Sequence, residues 1–125
     1  MEPGFYLVRR RKCCVQHFGV LAVAPGRPSE VFQLLPAGYQ IVDVGTFASG
    51  KRFHVGERRP LSEAPGIRER LAALPKRHPR WSLCGHNCEH AARWVLTGRR
   101  ESRQVAAGWA AAGALLALVG LLARR

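Results

Sequence analysis

Acidic side chains are scarce in this chain. Eight Asp and Glu stand against twenty Lys and Arg, giving a formal net charge of +12 and a pI near 11.2. Cysteine is sparse too: four in 125 residues are too few for a disulfide-dense secreted scaffold. Residues 1–8 lack the apolar core and small-residue cleavage site of a secretory leader. The cysteines are therefore expected to be reduced thiols in a domain facing the cytosol. Aromatic residues make up only 8% of the chain and are not interleaved with the basic clusters as stacking platforms. No internal repeat, low-complexity tract or collagen period is present, which excludes solenoid and fibrous classes. A hydrophobic content of 47% excludes disorder throughout. At this length one modest domain is expected.

Long apolar runs are also missing, with one exception. Residues 105–123 read VAAGWAAAGALLALVGLLA and carry no charge. As a helix this run would be about 28 Å long, close to the hydrocarbon thickness of a bilayer. Arg103 precedes it, Arg124 and Arg125 follow it, and Trp109 lies near one end, where headgroup-level anchors belong. A buried Ala/Leu core helix passes the same length test, but an apolar surface all round favours a span. Two residues follow the run, so the expectation is a tail anchor with the Arg-rich body on the cytosolic side. The division expected is a body over 1–103 and an anchor over 104–125. Gly108/Ala112 and Gly113/Ala117 recur at four-residue spacing, which fits helix pairing as well as plain composition.

Ahead of the run, strand-like stretches occur at 5–8, 18–24, 31–35, 40–44 and 52–55. Pro25-Gly26-Arg27-Pro28, Pro36-Ala37-Gly38 and Ser49-Gly50 separate them as turns. A helix is expected over 67–74, with Ile67, Leu71 and Leu74 on one face and Pro75 and Pro79 ending it. A second is expected from Cys88 to about Thr97, stopped by Gly98. Strands first and helices later predict an α+β domain.

The basic residues cluster at 9–12, 58–59, 76–80 and 99–100. Phosphate-driven nucleic-acid binding, attraction to anionic lipid headgroups and a solvated Arg-rich surface all fit such charge. No nucleic-acid motif accompanies it, and beside an apolar anchor the lipid reading is preferred; no nucleic acid is expected.

Within residues 83–90, LCGHNCEH, two Cys and two His fall in the seven positions from Cys84 to His90. Zinc sites usually take two ligand pairs separated by a longer loop, and four ligands this close hardly wrap one tetrahedron. No metal and no cofactor is expected. Asn87 instead reads as a helix N-cap with Cys88 as the first helical residue. There the positive end of the helix dipole and unpaired N–H groups would favour a thiolate. A nucleophilic Cys needs a base from elsewhere in the fold, and His17, opening a strand, can serve. An inert core thiol is the competing reading.

Asn87-Cys88-Glu89-His90 resembles the signature of the lecithin:retinol acyltransferase-like domain, within the NlpC/P60 superfamily of permuted papain-like folds. The wider match is similar to the H-Ras-like suppressor branch, the phospholipase A and acyltransferase family. Pro3-Gly4 resembles its amino-terminal Pro-Gly, and His17-Phe18-Gly19-Val20 resembles its His-aromatic-small-aliphatic box. Phe53-His54-Val55 with Pro60-Leu61 resembles the strand before its central helix. Trp81-Ser82-Leu83 leads into the Cys motif, and Ser102-Arg103-Gln104-Val105 resembles its Ser-x-Gln-Val ahead of the anchor.

The resemblance implies a permuted papain-like fold, a small antiparallel sheet on helices, with a C-terminal transmembrane helix. It implies a thiol phospholipase A1/A2 and acyltransferase acting on glycerophospholipids through an acyl-Cys thioester. Cys88 would be the nucleophile and His17 its base. Asn87, Glu89 and His90 would be motif residues in structural roles, and His86 likewise. Where relatives carry a second His, this chain has Gln33, whose amide oxygen can orient His17; His54 is the other candidate. The aromatic that usually follows the signature is Ala91, and the acidic residue after the early Pro-Gly is Phe5. These departures also fit a catalytically idle membrane adaptor, and the shared signature admits a retinoid acyltransferase.

Overall fold

Period-two alternation of apolar residues through the first sixty positions builds one antiparallel sheet. In the computed structural model, which describes residues 1–13, 15–77 and 87–124, strand β1 (Gly4–Lys12) and strand β2 (Val15–Val23) form a long hairpin. Strands β3 (Glu30–Leu35) and β4 (Gly38–Asp43) add beside β2, and β5 (Phe53–Arg59) adds beside β1. The order is β4-β3-β2-β1-β5, and every neighbouring pair is antiparallel. Helix α1 (Val44–Ala48) links β4 to β5; α2 (Ala64–Arg77), α3 (Cys88–Thr97) and α4 (Arg103–Ala123) follow. The protein is thus an α+β domain with a small sheet and one long apolar helix.

The two sheet faces have separate cores. Phe18, Val20, Phe32 and Leu34 meet Ile67 and Leu74 of α2 and the apolar stripe of α3 on one face. Tyr6, Val8, Leu21 and Val31 pack on Phe47 of α1 on the other. Gly19 is required on that second face, because a Cβ there would stand 2.7 Å from the Phe32 carbonyl and from a Val31 methyl. The β2–β3 pairing stops at Gly19 opposite Gln33, which leaves β2 without a ladder partner on that side from Val15 to Phe18, and β3 itself ends at Leu35. That free edge is where the site lies.

Several boundaries differ from the sequence expectation. The strands expected at 5–8 and 18–24 extend into a joined hairpin, because ladder pairing carries the basic residues 9–12 that pattern alone does not. β5 likewise runs on to Arg59. The strand expected over 40–44 ends at Asp43, which caps α1, a helix the sequence reading missed; the Asp43 carboxylate accepts from Thr46 N–H at 2.8 Å. α2 begins three residues before Ile67 and continues two residues past Pro75. A proline removes its own N–H from the preceding turn and leaves the dihedrals of later residues free to stay helical.

None of the residues of α4 is buried against the body. It is the one described helix long and apolar enough to cross a membrane, with mean hydropathy 2.1 and 0% of that window buried. The reading as a core helix is thereby removed. Trp109, Leu116 and Leu121 stand among the large apolar side chains it exposes, an apolar surface that is unfavourable in water and at home in lipid.

Candidate active site

Helix α3 begins at Cys88 because Asn87 caps it. The Asn87 side chain accepts from Glu89 N–H at 3.0 Å and His90 N–H at 3.1 Å, and His90 Nδ1 reaches back to Asn87 N–H. Gly98, at φ 80°, closes the helix in the left-handed conformation that glycine adopts without strain. The cap sets Cys88 against the free edge of β2. Its Sγ lies 3.8 Å from the Gln16 carbonyl, and the backbone N–H groups of Phe18, Cys88 and Glu89 favour its thiolate.

The residue between Gln16 and Phe18 is His17, buried on the opposite face of the sheet with its ring stacked 5.6 Å from Phe47. Its Nε2 is 2.8 Å from Gln33 Oε1. Gln33 is directly across from Gly19, two residues along from His17, so the pair is the diagonal neighbour that a pleated sheet allows. A carboxamide oxygen only accepts, which fixes the proton on Nε2 and leaves the lone pair on Nδ1. Among the described residues, no hydrogen bond joins the His17 ring to the Cys88 thiol. They meet through the β2 backbone, whose atoms on either side of His17 hold the sulfur.

Burial keeps both groups neutral. It pushes the Cys88 thiol above its usual value despite the N–H donors, with the Glu89 carboxylate adding to the rise. The thiolate expected from the helix dipole alone is therefore overturned: desolvation outweighs the donors. Burial also lowers His17; the Gln33 bond opposes that, while Arg10 and Lys12 reinforce it. His90 is lowered by burial and by Arg100, against Glu89.

A stability window follows from these shifts. The two histidines stay neutral in the fold but take up protons in the unfolded chain below their ordinary 6.5, so stability is lost as pH falls from there. The Cys88 thiol stays protonated in the fold but ionises in the unfolded chain above its ordinary 9.0, so stability is lost as pH rises past that value. Thermal unfolding of the full chain in detergent is expected to show a plateau between these limits and a falling midpoint on both sides. A midpoint that keeps rising through pH 5 would contradict the histidine assignments.

Glu89, next to Cys88, has 0% relative exposure. Its carboxylate accepts from Arg93 Nε at 3.0 Å, Ser102 Oγ at 2.7 Å, Arg103 N–H at 3.0 Å, and Gln104 through both N–H (3.2 Å) and Nε2 (3.3 Å). Burial alone would push its pKa up; these donors bring it below the usual carboxylate range. The first turn of α4, whose N–H groups have no partner within the helix, thus borrows its acceptor from α3. Ser102 caps the same turn, accepting from Val105 N–H.

Beside this junction is a cavity of about 440 Å³, lined by Arg9, Phe18, Arg93, Arg103, Gln104 and Ala107 among others. Arg9 and Arg103 form no ion pair among the described residues. A smaller cavity, about 270 Å³, lies under β2 and β3 toward α2, and neither cavity is lined by Cys88 or His17.

The structure thus joins His17 to Gln33 on one sheet face and sets Cys88 against the β2 backbone from the other. It leaves His54 exposed on β5, at the far edge of the sheet, opposite Arg9. Ala91 is in the α3 core and Phe5 packs half-buried against it. Cys13 and Cys88 are free thiols. Cys14, Pro79, the stretch 81–83, Cys84, His86 and Arg125 lie outside the described residues, so the zinc reading and the lead-in to the motif fall there too. Sequence reasoning missed Gln16 and Gln104 as members of the site. A Ser followed two residues later by Gln, directly ahead of an apolar run, was the available signal. No protein-family model matches the chain, and no curated protein or solved structure does.

Proposed function

We propose that the protein is a membrane-anchored thiol phospholipase A and acyltransferase on a permuted papain-like, lecithin:retinol acyltransferase-like body. The observation that carries this reading is a capped helix-start cysteine whose sulfur rests on the β2 backbone on either side of His17, with a buried His–Gln pair on the other sheet face and an apolar helix joined to the same helix start through Glu89. The ester carbonyls of a glycerophospholipid lie near the headgroup boundary, which is where the foot of α4 would hold Cys88. Arg9 and Arg103 line the cavity beside that foot, where anionic headgroups would attract each cation by about 1 kcal/mol. The body would face the cytosol and α4 would cross the bilayer, with Arg124 beyond it.

Two neutral partners define the chemistry. His17 Nδ1 would take the Cys88 proton as the sulfur attacks the ester carbonyl, so proton transfer accompanies attack instead of preceding it. Because His17 and Cys88 approach β2 from opposite faces, this requires the imidazole to leave its place against Phe47 and turn around the strand to the thiol when substrate is bound. The tetrahedral oxyanion would be met by the Cys88 N–H at the start of α3, since the Asn87 cap already takes those of Glu89 and His90. Collapse expels the lysophospholipid alkoxide, protonated by His17, and leaves the acyl group on Cys88. Water then completes hydrolysis, or an amine or lysophospholipid hydroxyl completes transfer, with His17 again as base.

Incubation of the full chain in mixed micelles with phosphatidylcholine, followed by mass spectrometry of the Cys88 peptide, tests this. An acyl-thioester mass on Cys88 is expected, and a clean failure with several phospholipids overturns the enzyme reading. A second reading, an idle membrane adaptor on the same fold, is favoured by the missing thiol–imidazole hydrogen bond and predicts that failure.

A further inference from the structure

The carboxamide of Gln104 makes an unusual set of bonds for a residue in the first turn of an apolar helix. Its Oε1 accepts from Gln16 N–H at 2.8 Å and its Nε2 donates to the Gln16 carbonyl at 3.1 Å. One side-chain amide thus takes both backbone groups of Gln16, as a neighbouring strand would. It does so where β2 has no ladder partner on the β3 side and no strand supplies those bonds. The same Gln16 carbonyl faces the Cys88 sulfur at 3.8 Å. Gln104 is also bonded through its main-chain N–H to Glu89, the residue after Cys88. Cys88, Gln16, Gln104 and Glu89 therefore close a ring of contacts that joins α3, β2 and α4.

We infer that Gln104 is a positioning residue: it locks the β2 edge beneath the Cys88 thiol, making the apolar helix and the thiol site one unit. The inference rests on the functional reading above for its significance, though its physical content does not need turnover. With its amide donating to the Gln16 carbonyl, that dipole is partly satisfied and bears less on the sulfur. Without it, an unsatisfied carbonyl oxygen points at the position where thiolate charge forms, and the thiolate becomes harder to form. A charged side chain that bears on that thiol is Glu89, which Gln104 also contacts. The anchor would then do more than raise local substrate concentration, since a chain cut after Ser102 loses Gln104 as well as the span.

The test is the pH dependence of Cys88 alkylation by iodoacetamide in the full chain held in detergent micelles. It is read by peptide mass spectrometry, with exposed Cys13 as the internal reference. Gln104→Met keeps the bulk and removes both hydrogen bonds. The alkylation midpoint of Cys88 is expected to rise by about half a unit or more, with Cys13 unchanged. General loosening of the fold would move it the other way, toward an ordinary exposed thiol, so a fall or no change in a folded Gln104→Met chain overturns the inference. If Gln104→Met loses its near-ultraviolet tryptophan signal, the same comparison is read in Gln104→Asn, which keeps an amide but lacks the reach. An unchanged midpoint defeats the positioning role, whereas absence of an acyl adduct in the wild-type chain defeats the enzyme reading. The two failures are separable.

Discussion

Cys88→Ser and Cys88→Ala will each reduce lipid turnover to background and leave no acyl adduct, while Gln33→Ala will lower turnover only in part. The difference follows from what each residue supplies. Cys88 provides the bond-forming sulfur, whereas Gln33 holds Nε2 of His17 through one 2.8 Å hydrogen bond and so fixes which ring nitrogen is basic. General-base contributions are typically about 10²–10⁴-fold, and orienting the base should cost at or below the low end of that range. Turnover per folded molecule is the quantity to compare, since Gln33 is itself buried. Gln33→His should retain or raise activity and alter the pH–rate profile, because an imidazole titrates near neutrality and an amide does not. His54→Ala should leave turnover unchanged, its side chain being exposed at the far edge of the sheet. If Gln33→Ala matches wild type while His54→Ala loses most activity, the Gln33 assignment is wrong.

Gln33 was reached as a partner for His17 through the resemblance of its strand to the family's, and two features of the fold bring the pair together. The alternation of β2 and β3 puts both residues on one face, and the register is set by apolar neighbours on each strand. The capped start of α3 was legible, since Asn87 and Gly98 carry the signals that begin and end a helix. α1 was not, because five residues give too little periodicity and its formation depends on the Asp43 cap and on Phe47 filling the core. The protonation of Cys88 was misread for a different reason. A sequence shows the helix start and its dipole but not the depth of burial, and burial decided the sign. The bond from Gln104 to Gln16 spans 88 residues, and no local pattern encodes such a contact.

That same long-range contact set explains why the second large effect is expected at Glu89. Glu89→Ala will destabilise the folded body by about 3–5 kcal/mol, the usual consequence of removing one partner from a buried ion pair. Arg93, with its side chain only 8% exposed, would be left as an uncompensated buried cation. The donors of Ser102, Arg103 and Gln104 would lose their shared acceptor at once. Against a total stability of order 5–15 kcal/mol for a domain of this size, such a loss leaves a substantial unfolded fraction. Glu89→Gln should cost less, since one oxygen still accepts, but its NH₂ group would face donors and could satisfy few of them. Adding Arg93→Met to Glu89→Gln should recover part of the loss, because the unpaired guanidinium is gone while the orphaned donors at the foot of α4 remain. Thermal unfolding of the full chain in detergent, followed by near-ultraviolet circular dichroism, measures all three. If Glu89→Ala unfolds within about 1 kcal/mol of wild type, the carboxylate is not the joint between α3 and α4.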